Sequence, residues 1–108
     1  MSNLDIFCLV KALELQLGKK GELVLNVTGN SMLPEFAEGD RIKVRKADNI
    51  SAGDVIVFVY EMNLHVHRIL YMRENVLYCK GDNSFRIEEI TYNDIVGKVT
   101  GIIPGQAE

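Results

Sequence analysis

The sequence predicts a mostly-β fold with one leading helix. Three observations carry this. Helical periodicity is confined to the first residues, up to about Leu17. Six later runs are rich in β-branched and aromatic residues. Gly-Asp dipeptides punctuate those runs at Gly39-Asp40, Gly53-Asp54 and Gly81-Asp82, and each reads as a turn. The 108 residues, 47% hydrophobic and 25% charged, fit one ordinary globular domain. Its parts are a helix over 1–18 and a β core over 22–103.

The elements follow in order. Ile6, Leu9, Val10, Leu13 and Leu17 fall on one face of a 3.6-residue period, so residues 3 to 17 should form a helix docked on the domain. Ser2 with Asp5 can form a capping box, and Gly18 is the natural stop. The strands should be "ELVLNV" (22–27), "RIKVRK" (41–46), "DVIVFVY" (54–60), "LHVHRILYM" (64–72), "NVLYCK" (75–80) and "DIVGKVTGII" (94–103). "RIKVRK" alternates, so one face is wet, whereas "VIVFV" is continuous and should be covered on both faces.

Charge and cysteine usage exclude several classes. A net charge of −3 gives no reason to expect nucleic-acid binding, and Arg41, Lys43, Arg45 and Lys46 read as a solvated strand face. Cys8 and Cys79 sit in apolar company outside any C-x-x-C pair, so both should be buried free thiols. Reduced thiols suit the cytoplasm. No segment reaches the ~18 apolar residues of a membrane span, and no cleavable leader is visible.

Two places carry potential chemistry. Ser31 stands in "TGNSMLP", just after a strand, where a tight turn can aim a side chain outward and present its own N–H. It is either a capping serine or a nucleophile, and a nucleophile needs a base in reach and a donor for the oxyanion. The only histidines, His65 and His67, are two apart on a predicted strand and share a face. A bare H-x-H can chelate zinc only with further ligands, and no H-E-x-x-H or nearby cysteine pair supplies them, so no metal or cofactor is expected.

The combined pattern resembles the serine peptidases of the signal peptidase I and LexA-like repressor superfamily. The matching blocks are "TGNSMLPEFAEGD" (28–40), "ISAGDVIVFVY" (50–60), "HRIL" (67–70), "YCKGDNS" (78–84) and "IVGKVTGII" (95–103). Their order and spacing agree over residues 22 to 103. The resemblance implies the superfamily's complex β-fold, with Ser31 as nucleophile and its backbone N–H at the oxyanion. It puts a base where most bacterial relatives carry lysine. His67-Arg68 stands there, as in the Ser/His variants of the superfamily, with His65 as the weaker alternative. An ordinary histidine titrates near pH ~6.5 and is already a competent base at neutral pH. Ser/His relatives carry an aspartate past the Gly-Asp-Asn turn to orient the histidine. In "SFRIEE" the matching position holds Glu88, with Glu89 beside it, and Asp82 is the other candidate. Met32 and Pro34, within the first block, are the implied substrate contacts.

The departures shape the expected biology. Gly29-Asn30 precede Ser31 where signal peptidases have Ser-Gly, so the second oxyanion donor is open between Asn30 and Thr28. A short amphipathic helix stands where a signal peptidase has its membrane segment. The 30 residues before Ser31 are too few for a helix-turn-helix domain with linker and hold no Ala-Gly or Cys-Gly bond, which disfavours self-cleavage as a DNA-damage switch. The expected function is a soluble serine endopeptidase that trims a leader or signal-like peptide. The alternative is an inactive β module that binds an extended peptide. The expected partner is a peptide or protein substrate, not nucleic acid. The expected place is the cytoplasm, or the inner face of a membrane beside an anchored partner.

Overall fold

The computed structural model describes residues 3–105. Helix α1 (Asn3–Lys20) is followed by β1 (Leu23–Asn26), β2 (Arg41–Arg45), β3 (Val55–Tyr60), β4 (Asn63–Arg73), β5 (Val76–Lys80), β6 (Ile87–Thr91), a 3-10 turn (Tyr92–Asp94) and β7 (Ile95–Ile103). The strands form one seven-stranded sheet in the order β1-β2-β7-β3-β4-β5-β6. Every pair is antiparallel.

Helix α1 buries Ile6, Leu13 and Leu17, with Val10 half-buried. Leu9, expected on that face, is exposed. It lies 100° from Val10, on the flank that the sheet does not reach. The helix also runs past Gly18 and stops at Gly21, whose N–H donates to Leu17 O (2.8 Å) at a φ of +74. That left-handed conformation belongs to glycine, so the stop moves three residues on from the expected one. The capping role of Ser2 lies outside the described residues. Cys8, expected to be buried, is exposed on α1, while Cys79 is fully buried.

Strand β3 is the spine. Val55 and Val57 enter one apolar cluster with Leu13, Leu17, Leu23, Ile42, Val44, Met32 and Phe36. Ile56 and Phe58 enter a second, with Ile69, Leu77, Cys79 and Ile90. Both faces of the continuous apolar run are thus covered, as period-2 geometry requires. Each fully buried large side chain contributes roughly 1.5–3 kcal/mol. In β2 the alternation is equally plain: Ile42 and Val44 are buried, and Arg41, Lys43 and Arg45 are exposed.

Strand β6 was not among the expected strands. Its sequence, Ile-Glu-Glu-Ile-Thr, buries Glu88 and Ile90 and exposes Ile87, Glu89 and Thr91. A carboxylate occupies an inward position, which erases the apolar alternation by which a strand is read.

Two edges frame the functional region. Strand β1 closes one side of the sheet. Strand β5 joins β4 only from Arg68 onward, pairing it with Lys80, so residues 63–67 of β4 pair with β3 on one side only.

Candidate active site

Ser31 sits in the loop between β1 and β2. The base of that loop is held by Val27 N–H donating to Asp40 O (2.9 Å), and Gly29, at a φ of +79, turns the chain. Gly29 N–H donates to Glu38 Oε1 (3.0 Å). A helical turn then follows, with Glu35 N–H donating to Met32 O (2.9 Å). It seats Met32 and Phe36 in the core and leaves Ser31 half-buried above them.

His67 comes from β4, where it pairs with Ile56 of β3. It is 6% exposed, and its Nε2 lies 3.0 Å from Ser31 Oγ. Its Nδ1 lies 2.8 Å from Glu88 Oε1, and Glu88 is 2% exposed. A carboxylate oxygen accepts, so Nδ1 carries the hydrogen and the Nε2 lone pair faces the serine hydroxyl. A buried carboxylate without a partner would be costly, and Nδ1–H supplies the partner. Phe58 meets the His67 ring edge-on at 6.0 Å and restricts its tilt.

The other candidates fall elsewhere. His65 stacks on Phe58, with ring centroids 5.7 Å apart, and its Nε2 lies 3.2 Å from Tyr60 O. Burial first, and then the neighbouring His67, hold it below the ordinary histidine value. Asp82 does not cap its own turn: Arg68 Nε and Nη2 donate to its two oxygens at 2.9 and 2.8 Å. That fork holds Asp82 well below the usual carboxylate range. Glu89 is exposed on β6. Met32 is buried at 3% and lines the cleft beside Ser31, whereas Pro34 is exposed and away from it.

The Gly81–Ser84 segment backs the pair. A Cβ on Gly81 would stand 2.6 Å from Ser31 O and 3.1 Å from His67 Nε2, so only glycine fits. Asn83 N–H donates to Ser31 O (2.7 Å) and Asn83 Nδ2 to Asn30 O (3.1 Å). Lys80 Nζ closes the segment by donating to Gly81 O (2.9 Å) and Ser84 O (2.6 Å). From the sequence, Gly81-Asp82 reads as a turn with Asp82 as a candidate to orient the histidine, and Asn83 has no role. The available signal was the resemblance of "YCKGDNS" to one of the superfamily's blocks. Cys79, opposite Glu88 in the β5–β6 ladder, has its thiol pushed up to about 12 by burial and then by the Glu88 charge, so it stays a neutral thiol.

In front of the pair lies a cleft of about 320 Å³. The end of β1 (Leu25, Asn26) and the following Val27 form one wall, and Leu64 and Val66 of β4 form the other. Met32, Phe36 and Val57 make its apolar floor. Among the described residues, no group of three or more His, Cys, Asp or Glu is placed to hold a metal ion. No helix among them is long and apolar enough to cross a membrane.

A family model described as Peptidase S24-like matches residues 10–100 of the chain. A search of curated proteins found no match.

Proposed function

The chain belongs to the Peptidase S24-like family, and from that premise we propose that it is a serine endopeptidase with a Ser31–His67–Glu88 centre. The observation that carries this is the unbroken line of contacts from Ser31 Oγ to His67 Nε2 (3.0 Å) and from His67 Nδ1 to Glu88 Oε1 (2.8 Å). An idle serine needs neither a buried histidine nor a buried carboxylate behind it.

The chemistry runs as acyl transfer. As Ser31 Oγ bonds to the peptide carbonyl carbon, its proton passes to His67 Nε2 and the carbonyl π electrons move onto oxygen. The Ser31 backbone N–H is the donor we assign to that oxyanion. Glu88 stabilises the imidazolium and keeps the ring oriented. Collapse breaks the C–N bond, and His67 returns the proton to the leaving amine. Water, deprotonated by the same imidazole, then hydrolyses the acyl-enzyme.

The substrate we assign is an extended polypeptide lying in the cleft between β1 and residues 64–67 of β4. Both walls offer strand edges, so backbone hydrogen bonds would hold the chain whatever its sequence. Small side chains near the scissile bond and removal of a leader or signal-like segment follow from the family resemblance. Met32 forms part of the floor beneath the substrate. We take residues 1–108 to act as one domain, in the cytoplasm or at the inner face of a membrane.

A degenerate peptide library incubated with the protein and read by mass spectrometry tests this. New termini should form with the wild type and not with a folded Ser31→Ala variant. Equal cleavage by both removes Ser31 from the mechanism. Library peptides that bind without being cut would make the domain a peptide-holding module.

A further inference from the structure

Arg68 follows His67 on β4, so its side chain leaves the strand on the opposite face. It nevertheless reaches three turns, two of which, around Asp82 and Glu35, build the site. Nη1 donates to Gly53 O (2.7 Å), Nε and Nη2 hold Asp82, and Nη2 lies 3.9 Å from Glu35 Oε1 in the nucleophile turn. The two residues flanking Asp82 touch Ser31. Gly81 packs against Ser31 O and His67 Nε2, and Asn83 N–H donates to Ser31 O. Asp82 N–H itself donates to Met32 Sδ (3.3 Å).

We propose that Arg68 is a positioning residue for the Ser31–His67 pair, acting through Asp82: it closes the 81–83 turn on the nucleophile and cancels the Asp82 charge beside the imidazole. This rests on Ser31 and His67 being the reacting pair. Arg68 touches no reacting atom. A bidentate fork fixes the carboxylate in direction as well as distance, which a lysine cannot do. The groups around His67 are Glu88 from β6, His65 from β4 and Asp82 from the turn. Cys79 of β5 lies beside Glu88, Arg86 acts on His65, Lys80 acts on Asp82, and Glu35 reaches Arg68. Within that set the Arg68–Asp82 pair is neutral as long as both members are present. Without the guanidinium, a bare carboxylate favours the imidazolium. Without the carboxylate, a bare guanidinium disfavours it.

The test is Ser31 acylation by p-nitrophenyl acetate against pH, read by intact mass, with an NMR titration of the His67 imidazole on the same samples. Arg68→Met should slow acylation roughly tenfold or more and move its acid limb up. Asp82→Asn should slow it and move the limb down. The two shifts should each be on the order of half a pH unit. The double variant should bring the limb back toward wild type while staying slow. Arg68→Lys should keep the limb and lose rate, and it serves if Arg68→Met does not fold. Acid limbs and imidazole titrations that coincide with wild type in both single variants, or shift the same way, overturn the proposal. A wild type that is never acylated defeats the peptidase reading instead, and the imidazole titrations still decide the charge balance.

Discussion

Three side chains stand in series at the site, with Glu88 Oε1 2.8 Å from His67 Nδ1 and His67 Nε2 3.0 Å from Ser31 Oγ. Ser31 and His67 stand in short blocks that resemble the superfamily's, and that resemblance named them where turn and strand geometry left their roles open. Glu88 could be reached only by counting from the Gly-Asp turn, with Asp82 left open beside it. What separates them is tertiary: Arg68 occupies both oxygens of Asp82, and β6 turns Glu88 inward onto Nδ1. Glu88→Gln keeps the shape but removes the charge that steadies the imidazolium. If its amide NH₂ turns toward Nδ1, it also selects the wrong tautomer. Acylation of Ser31 should fall on the order of a hundredfold or more, measured as a second-order rate constant. A loss below threefold would leave Glu88 a buried structural carboxylate.

At the scale of elements, the long apolar patterns spoke clearly. Strands β2 and β3 came from alternation and from a continuous apolar run. Helix α1 came from its period, but its end did not, because Gly18 and Gly21 are alike in sequence and only the φ of +74 at Gly21 distinguishes the stop. Strand β6 was silent because the site itself occupies one of its inward positions. The turn before it carries the sharpest prediction. In Gly81→Ala, the new methyl meets a backbone carbonyl, which cannot swing away as a side chain would. The nucleophile turn must shift. Ser31 acylation should drop roughly a hundredfold, with a stability loss of roughly 1–3 kcal/mol by denaturant titration. Near-normal acylation would mean that the turn does not set the serine's position.

For the whole molecule, fold class was legible and strand order was not. Nothing local in "IVGKVTGII" says that β7 inserts between β2 and β3, since non-local pairing leaves no periodic mark. Gly97 shows the constraint after the fact: a Cβ there would lie 2.5 Å from Val44 Cγ1. The turns that join these strands also give the molecule an acid limit. Asp82 is held down chiefly by Arg68. Asp54 is held down by Ser51 N–H and Lys98, which together outweigh the opposing effect of its burial. Lowered folded values mean that both contributions are complete above the ordinary 3.8 and fade as the pH falls below it. The melting temperature of the wild type should therefore drop more steeply below pH ~4 than that of Asp82→Asn. Parallel acid slopes would remove Asp82 from the balance.

The proposed peptidase chemistry rests on Ser31 as a nucleophile driven by His67. The most direct measurement is the pH dependence of Ser31 acylation by a small serine-reactive probe, read by intact mass, for the wild type, His67→Ala and His65→Ala. A working Ser31–His67 pair should give one adduct on Ser31, with labelling that rises through neutral pH, persists in His65→Ala and vanishes in His67→Ala. No adduct at any pH, or labelling that survives the loss of His67, would contradict it.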